Sequence, residues 1–377
     1  MIIDVYFESQ AILMERFPNS DEYFHFRELL DATGMTNEFS KDVEDALREI
    51  IDEKSICIFS VEDMSGLNSH IFERVFQIIN MLSSLQLIER LVINNPVRPL
   101  QEALRINSQY KIDFHESKHF DELSEQKIIE AKEILNQNLL GQKNAKLAIL
   151  RKLISQLIRP SEKPLVLMFY GNPGIGKTEA AKLLSESLYG TNKLVREQMS
   201  MAHGEHSVNY FKATGHNEDS FSKKLMNRDS NIILLDEFAL APYYIQTSFF
   251  QMFDEGKYVD QNFEVDMRNS IIICTSNLLS REEMNQQINP ALLTRFDGYI
   301  RFDDFSIAEK RIIARKTLDE YLASGQIKED YLKLIDPTEL KSHLDGKVEK
   351  LSNVRGIRNY IEDNVSQLIL DNVIEKN

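Results

Sequence analysis

Cysteine is scarce in this sequence of 377 residues. Its two cysteines, Cys57 and Cys274, lie far apart, and neither belongs to a CxxC pair. A disulfide framework or a zinc ribbon needs paired cysteines, so neither is expected. The simplest interpretation is a reduced intracellular protein in which Cys274 is a small core residue of a buried strand.

Long hydrophobic runs are also missing. No apolar run approaches the roughly 18 residues that a membrane-spanning helix requires. The N-terminal stretch, MIIDVYFESQ, has no basic segment ahead of an apolar core, so we expect no secretory signal peptide. These two absences predict a cytoplasmic protein that has no membrane partner.

Positive charge is outnumbered by negative charge. Lysine and arginine number 44 against 59 aspartates and glutamates, which gives a net charge of −15. This balance argues against a protein that coats nucleic acid over a broad surface, although a local basic patch would be compatible with it. The hydrophobic content of 42% and the charged content of 27% are ordinary for a soluble globular protein.

The pattern along the chain predicts three domains, over residues 1–125, 126–303 and 304–377. In the first, residues 70–93 have the apolar spacing of an amphipathic helix followed by a strand. In the second, short β-rich runs alternate with helical stretches, which predicts a parallel sheet with helices on both faces. The third is helical throughout, and Pro337 opens one of its helices.

A glycine-rich loop follows the first β-rich run of the second region. Its sequence, GNPGIGKT over residues 171–178, matches the phosphate-loop pattern G-x-x-x-x-G-K-[ST]. Glycines let backbone N–H groups wrap phosphates, and the helix that begins near Lys177 points its positive end at them. Lys177 would add a charge beside the β and γ phosphates, and the Thr178 hydroxyl would ligate magnesium. ATP and Mg²⁺ are therefore the expected ligands.

Two acids end the apolar run NIILLDE, residues 231–237. The run predicts a buried central strand, and ligands of open parallel sheets bind at the carboxyl ends of such strands. Asp236 would then hold magnesium, and Glu237 would polarise the attacking water. Solvated acids at a strand end are the alternative interpretation, and the complete phosphate loop argues against it.

With these motifs in order, the chain resembles the AAA+ ATPases, and within them the Clp/heat-shock disaggregase class, especially the second ATPase module of ClpB-like proteins. The resemblance is carried by LLGQKNAKLAI (139–149), LVREQMS…HSV (194–208), LLDEF…CTSN (234–277), NPALLTRFD (289–297) and RGIRNYIED (355–363). It implies an α/β fold, an AAA+ P-loop NTPase with a three-layer parallel sheet, a C-terminal helical lid and a mixed, mainly helical N-terminal domain.

The resemblance also implies roles for single residues. Asn277 would be the first sensor, which orients the water beside Glu237, with a capping asparagine on a surface turn as the alternative. Arg295 would be an arginine finger that reaches a neighbouring subunit's nucleotide, with a structural salt bridge as the alternative. Arg358 would be the second sensor, and Arg355 is the competing candidate.

Further nucleotide contacts are expected from two segments. Gly141 and Gln142 match the adenine-contacting segment of the family. The other expected nucleotide-binding residues, besides Asp236 and Arg358, belong to the phosphate loop and the helix after it: Asn172, Pro173, Gly174, Ile175, Gly176, Lys177, Thr178 and Glu179.

Parts of the Clp pattern are absent from the sequence. Clp unfoldases carry an aromatic pore loop, typically G-Y-V-G, and residues 209–230 contain no such tetrapeptide. Tyr210 and Phe211 lie too early for that loop, so we expect them to pack in the core. The family's DMSE motif is replaced by QMSM (198–201), and no hydrophobic–Gly–hydrophobic loop for docking a ring protease is found.

Two histidine motifs are candidate metal sites. HESKH, residues 115–119, matches the HExxH pattern of zinc proteases. Zincin helices keep the middle residues uncharged and buried, whereas Ser117 and Lys118 are polar, and no third ligand is clear. HGEH, residues 203–206, is typical of an exposed turn. We expect zinc at neither motif.

The expected function is that of an oligomeric AAA+ ATPase, a homo-oligomer in a hexameric ring. It would couple ATP binding and hydrolysis to the remodelling of a protein partner recognised by residues 1–125. An ATP-gated switch or scaffold that processes no substrate is the alternative, and the missing pore motif favours it. A DNA-transaction ATPase is disfavoured by the negative charge and by the Clp-type motifs.

Overall fold

The computed structural model describes residues 1–33, 41–52, 54–64, 69–115, 120, 122–213, 219–351 and 353–375. Within these ranges the chain forms two five-stranded parallel sheets and one two-stranded antiparallel hairpin. None of the helices in these ranges combines the length and apolar character needed to span a bilayer.

The N-terminal region is built on the first sheet. Its strands are β1 (Ile2–Tyr6), β2 (Tyr23–His25), β3 (Ile56–Phe59), β4 (Arg90–Asn94) and β5 (Lys111–His115). They lie side by side in the order β2-β3-β4-β1-β5. Its helices are α1 (Gln10–Arg16), α2 (Phe26–Thr33), α3 (Lys41–Ile51), α4 (Val61–Met64), α5 (Ser69–Ser84) and α6 (Arg98–Ile106).

The predicted helix and strand over residues 70–93 are confirmed as α5 and β4. The region is mixed and mainly helical as expected, but its complete parallel sheet was not predicted. Its strands are short, and a charged side chain interrupts the apolar run of β1 at Asp4. Only the pairing of β1 with β4 and β5 makes a buried strand of that segment.

The second sheet begins after residue 160. Its strands are β6 (Leu165–Tyr170), β7 (Val195–Gln198), β8 (Ile232–Asp236), β11 (Ile271–Ser276) and β12 (Gly298–Arg301), and a hairpin of β9 (Lys257–Val259) and β10 (Glu264–Asp266) precedes β11. The strand order is β12-β6-β11-β8-β7. The helices of this region are α7 (Glu125–Asn138), α8 (Lys143–Ile158), α9 (Lys177–Tyr189), α10 (Gly204–Lys212), α11 (Phe221–Met226), α12 (Tyr243–Gln246), α13 (Phe250–Glu255), α14 (Arg281–Gln287) and α15 (Pro290–Leu293).

Both faces of the second sheet are buried, as expected for a parallel sheet between helical layers. In β8, Ile232 and Leu234 pack in one hydrophobic core, and Ile233 and Leu235 pack in the core on the opposite face. Cys274 is fully buried in β11, which confirms its prediction as a core residue. The three-layer α/β fold class is therefore confirmed.

The C-terminal region is helical, with α16 (Ile307–Ala323), α17 (Glu329–Leu332), α18 (Pro337–Lys347) and α19 (Val354–Glu375). Helix α16 begins with a capping box between Ser306 and Glu309, and Pro337 opens α18 as predicted. Ile313, Leu344 and Ile357, from three of these helices, are buried in the core that also covers one face of the second sheet. This continuity places the helices beside the phosphate loop.

Candidate active site

The loop of residues 171–176 joins β6 to α9. Gly171, Gly174 and Gly176 have φ angles of 135°, 73° and 105°, in the region that favours glycine. A Cβ on Gly171 would clash with the carbonyl oxygen of Phe302. Helix α9 begins at the next residue, so the positive end of its dipole lies at the loop. This is the backbone arrangement that binds phosphate.

Lys177 is the first residue of α9 and is 7% exposed. Its Nζ donates to the carbonyl oxygens of Gly171 (2.5 Å) and Asn172 (2.7 Å) and to Oδ1 of Asn277 (3.0 Å). Burial lowers the pKa of Lys177 to about 8, and the nearby carboxylates of β8 partly oppose this effect. The amine is therefore held in place, largely desolvated, at the mouth of the loop.

Asp236 is the last residue of β8 and is 6% exposed. Its Oδ1 accepts a hydrogen bond from the Thr275 hydroxyl (2.5 Å), and its Oδ2 lies 3.4 Å from the Thr178 hydroxyl. Arg196 donates to the same Oδ2 through Nη2 (2.5 Å) and Nε (3.1 Å). The carboxylate is thus fixed on three sides.

Glu237 follows with a φ of 57°, and its backbone N–H donates to the Thr275 hydroxyl (2.9 Å). Its carboxylate accepts hydrogen bonds from Gln198 Nε2 (2.6 Å) and Asn277 Nδ2 (3.4 Å). Asn277 therefore accepts from Lys177 through one side-chain atom and donates to Glu237 through the other. We refer to Lys177, Asn277 and Glu237 as the polar triplet.

Arg196, Gln198 and Thr275 were missed by the sequence reasoning. Arg196 and Gln198 are two residues apart on β7, so they share one face, and Gln198 lies opposite Asp236 in the register of β7 with β8. Thr275 stands two residues before Asn277 on β11. The two-residue spacing of Arg196 and Gln198 indicates that both side chains lie on one face of β7. Only the fold shows that β8, which carries Asp236, is the neighbouring strand.

Thr178 and Asp236 fit magnesium. A hydroxyl and a carboxylate are hard oxygen ligands, and Mg²⁺ is bound by one or two carboxylates together with waters and substrate phosphates. In the part of the chain that the structure describes, no cluster of three or more His, Cys, Asp or Glu side chains could hold a metal ion. A magnesium site that relies on phosphate oxygens does not need such a cluster.

The segment that is predicted to contact adenine lies against the phosphate loop. Gln142 is 5% exposed, and its Nε2 donates to the carbonyl oxygens of Ile175 (3.1 Å) and Asp303 (2.7 Å). Its Oε1 accepts from the Asp303 N–H (3.0 Å). Gly141, just before it, has a φ of 63°. Gln142 thus ties the loop to the segment that leads into α16.

The start of α19 also contacts the loop. Asn353 Nδ2 donates to the carbonyl oxygen of Pro173 (3.1 Å), and the Val354 N–H donates to that of Gly174 (3.2 Å). Asn172 donates to the Asp304 carboxylate at 2.8 and 3.0 Å. The start of α19 and the segment before α16 therefore both contact the loop.

Two predicted arginines are paired within the chain. Arg295 Nε lies 2.6 Å from Asp254 Oδ2, and its guanidinium carbon lies 5.0 Å from the centre of the Phe250 ring. Arg358 Nε lies 3.0 Å from Glu362 Oε1, one turn into α19. Among the described contacts neither guanidinium is bonded to the polar triplet, so the structure does not bring these two arginines to it.

The segment without the pore motif is partly described. Phe211 is 3% exposed, and the Tyr210 hydroxyl donates to Glu197 (2.6 Å), so both aromatic residues pack against the core as predicted. Burial raises the pKa of Tyr210, which keeps its hydroxyl protonated. Residues 214–218 lie outside the described residues.

The two histidine motifs show no metal geometry where the chain is described. In HESKH, His115 ends β5 and its Nε2 lies 2.6 Å from Asp4 Oδ1, while residues 116–119 lie outside the described residues. In HGEH, His203 precedes α10 and His206 lies within it. The helix replaces the exposed turn that was expected there.

Known proteins resemble this chain in the region that contains the phosphate loop and the acidic pair. A family model described as AAA domain (Cdc48 subfamily) matches residues 162–322. The ATP-dependent Clp protease ATP-binding subunit ClpC of Staphylococcus aureus (strain USA300) is 26% identical over 294 residues, covering 67% of this chain and 36% of the relative. The chaperone protein ClpB of Malacoplasma penetrans (strain HF-2) is 27% identical over 227 residues, covering 55% and 32%.

The chain thus spans about a third of the length of these curated relatives. A solved structure is also similar, the closed-state cryo-EM reconstruction of Hsp104 with ATPγS and FITC casein. Its TM-score is 0.55 at 15% identity, over 99% of this chain and 88% of that one, which shows a shared fold. The phosphate loop, the acidic pair and these relatives together show that residues 162–322 form an AAA domain similar to those of ClpC and ClpB.

Proposed function

We propose that this ATPase is an oligomer that couples ATP binding and hydrolysis to the remodelling of a protein partner. The observation that carries the proposal is the polar triplet. Asn277 contacts Lys177 at 3.0 Å and Glu237 at 3.4 Å, so a phosphate-binding cation and a water-activating acid are held by one side chain. This arrangement suits attack on a γ-phosphate.

In the proposed reaction, Lys177 and the loop backbone bind the β and γ phosphates. Glu237 takes a proton from the attacking water while the water oxygen bonds to the γ phosphorus and the bond to the bridging oxygen of ADP breaks. Asn277 orients the water. Thr178 and Asp236 would hold Mg²⁺, which supplies charge neutralisation at the phosphates when bound.

Assembly enters the proposal through Arg295. The Arg295 guanidinium is paired with Asp254, and among the described contacts it is bonded to none of the polar triplet, which supports a role outside the nucleotide site of its own chain. We propose that Arg295 serves a neighbouring subunit in a hexameric ring, and that Arg358 in α19 senses the nucleotide from the lid. Gly141 and Gln142 would line the adenine.

The proposed domains follow the sequence boundaries. Residues 126–303 would be the large ATPase domain, residues 304–377 the helical lid, and residues 1–125 the part that recognises a protein partner. The names of the relatives support a protein substrate: one is a chaperone protein, one a Clp protease subunit, and the Hsp104 structure was solved with FITC casein.

An ATP-gated switch or scaffold is the second candidate function. It is favoured by the absence of a G-Y-V-G tetrapeptide from residues 209–230, the segment where Clp unfoldases carry their pore loop. Tyr210, in the same segment, is bonded to Glu197 at 2.6 Å and packs against the core. In that case ATP would control assembly, and no polypeptide would be threaded.

Capture of the partner tests the proposal. Glu237→Gln protein should bind ATP and hydrolyse it very slowly, so a substrate bound in the ATP state should co-purify with it. Lys177→Ala protein is the matched control, since it should not reach that state. The captured protein should then stimulate ATP turnover by the wild-type chain. Turnover that no protein stimulates, together with ATP-dependent assembly, would support the switch instead.

A further inference from the structure

The two parallel sheets have the same strand order. If the strands of each sheet are numbered from first to fifth along the chain, both sheets read fifth, first, fourth, third, second. Every neighbouring pair in both sheets is parallel. Since a five-stranded parallel sheet has many possible orders, this identity indicates that residues 2–115 repeat the topology of the ATPase domain. The fold match to Hsp104 also extends over this region, because it covers 99% of the chain.

The first loop of the N-terminal sheet differs from the phosphate loop. In the ATPase domain the residues 171–176 separate β6 from α9, whereas Phe7, Glu8 and Ser9 alone separate β1 from α1. None of these three is a glycine or a lysine. The Ser9 hydroxyl caps α1 by accepting from the Ile12 N–H (3.4 Å). A side chain therefore occupies the helix end that a phosphate would use.

The third strand also lacks the acidic pair. Phe59 ends β3 where Asp236 ends β8, and Ser60 takes the place of Glu237. Phe59 is fully buried. Glu62 and Asp63 follow, and Asp63 accepts from the Ser60 N–H (2.7 Å) and hydroxyl (2.9 Å), so its carboxylate is bonded to its own turn.

The fourth strand closes the position that a nucleotide would occupy. In the ATPase domain, Asn277 follows the fourth strand and reaches Lys177, across the site from the first loop. In the N-terminal sheet, Asn94 and Asn95 donate directly to the carbonyl oxygen of Glu8 in the first loop, at 3.2 and 2.7 Å. The first loop and the fourth strand are thus bonded directly to each other.

The Glu8 side chain completes this closure. It is 6% exposed, and its carboxylate is paired with Arg16 at 2.7 and 3.1 Å. Both its backbone and its charge are therefore satisfied within the N-terminal region. No phosphate is needed to hold this loop.

We propose that residues 2–115 form a nucleotide-free counterpart of the ATPase domain, so that the chain carries two modules of one topology and one nucleotide site. This inference rests on the strand order and on the closed first loop, and it does not depend on the proposed remodelling function. The region that we propose to recognise a protein partner would then be an AAA-like module that binds no nucleotide.

The hairpin of the ATPase domain fixes the two modules together. Phe263, between β9 and β10, is 4% exposed and packs in the hydrophobic core of the N-terminal module. The Arg98 N–H, at the start of α6, donates to the carbonyl oxygen of Asn262 (2.7 Å). The nucleotide-free module therefore contacts the hairpin that leads into β11, the strand that ends beside Asn277.

Photolabelling of the full chain tests the inference. Wild-type protein is irradiated with 8-azido-ATP and Mg²⁺, and the labelled peptides are identified. Labelling that an excess of ATP suppresses should be confined to residues 126–377, and it should be absent from Lys177→Ala protein. Competed label within residues 2–115, or binding of two ATP per chain by Glu237→Gln, would overturn the inference. Wild-type protein without any label would instead contradict ATP binding at the phosphate loop.

A pair of equivalent substitutions gives an independent readout. Asn95 follows β4 as Asn277 follows β11, so the two positions match. Asn95→Ala should lower the melting temperature but leave the ATP Kd and kcat within about twofold of wild type, measured where the variant is folded. Asn277→Ala should keep the fold and lose most of kcat. If Asn95→Ala does not fold, Asn95→Ser gives the same comparison. A changed ATP Kd in a folded Asn95 variant would contradict the nucleotide-free assignment.

Discussion

Single residues set the chemistry of the site, and Lys177 is the most constrained of them. Burial lowers its pKa from an ordinary value of 10.5 to about 8. Below pH 8 the amine is charged in the folded and unfolded chains alike, so the cost of burying the charge is fully present. Between about 8 and 10.5 the folded chain has lost the proton first, so this cost is relieved and stability rises with pH.

Phosphate binding needs the charged amine, so the ATP affinity should fall as the pH rises through about 8. In Glu237→Gln protein we expect a Kd that is constant to about pH 7.5 and then rises by up to about tenfold per pH unit. Lys177→Arg is the control, because its guanidinium stays charged and its profile should be flat over this range. If the Kd of Glu237→Gln protein at pH 9.5 equals its Kd at pH 7, the dependence on the Lys177 charge is disproved.

Thr275 links both acids and is 1% exposed. Thr275→Val keeps the shape but leaves Asp236 and the Glu237 N–H each without this partner, which should cost about 1–3 kcal/mol of unfolding free energy. Because the acids lose a fixed orientation, kcat should fall by about 10²-fold. Thr275→Ser retains the hydroxyl and should stay near wild type in denaturation and turnover assays. Equal behaviour of the Val and Ser variants would remove Thr275 from the site.

Residue types and their spacing predicted Lys177, Asp236 and Glu237, and the family resemblance added Asn277. The structure brings these four residues together. Gln198 and Thr275 could not be assigned in the same way, because their contacts depend on which strands are neighbours in the sheet. Arg196 is a similar case. Arg196 on β7 is paired with Asp236 on β8, and no local sequence pattern shows that these two residues lie close together.

At the scale of helices and strands, Asn353 connects the start of α19 to the phosphate loop. Its Oδ1 accepts from the Gly356 N–H (2.9 Å), which caps α19, while its Nδ2 donates to Pro173. Asn353→Ala should therefore lose about 0.5–2 kcal/mol of stability and some ATP affinity. Asn353→Asp can still cap the helix but cannot donate to Pro173. It should recover the stability in thermal unfolding and still bind ATP more weakly than wild type, and full recovery of affinity would rule out the loop contact.

Strands β6, β8 and β11 of the second sheet were predictable because each is a largely continuous apolar run. Strand β7, whose sequence is VREQ, was indicated only by the family resemblance. The N-terminal sheet was not predictable in this way. β2 has only the residues Tyr23–His25, and β1 contains Asp4, so neither resembles a buried strand in isolation. Their pairing with partners far along the chain supplies the missing information.

At the scale of the whole molecule, Arg295 tests the assembly. Arg295→Ala should leave ATP binding nearly intact and cut turnover by about 10³-fold or more if the guanidinium acts on a neighbour's nucleotide. Lys177→Ala subunits bind no ATP but still present Arg295, so mixing the two inactive variants should restore part of the activity. Asp254→Ala is the control, because it removes the ion pair within the chain but keeps the Arg295 guanidinium. Strong hydrolysis by Arg295→Ala alone would point to another arginine, with Arg301 the nearest downstream.

We propose that ATP hydrolysis takes place at the polar triplet. This assignment can be tested by measuring ATP binding and single-turnover hydrolysis by wild-type, Lys177→Ala and Glu237→Gln proteins under the same conditions. Wild type should bind and hydrolyse ATP, Lys177→Ala should do neither, and Glu237→Gln should bind ATP with near wild-type affinity and barely hydrolyse it. Equal ATP affinity in wild type and Lys177→Ala, or unchanged hydrolysis by Glu237→Gln, would contradict it.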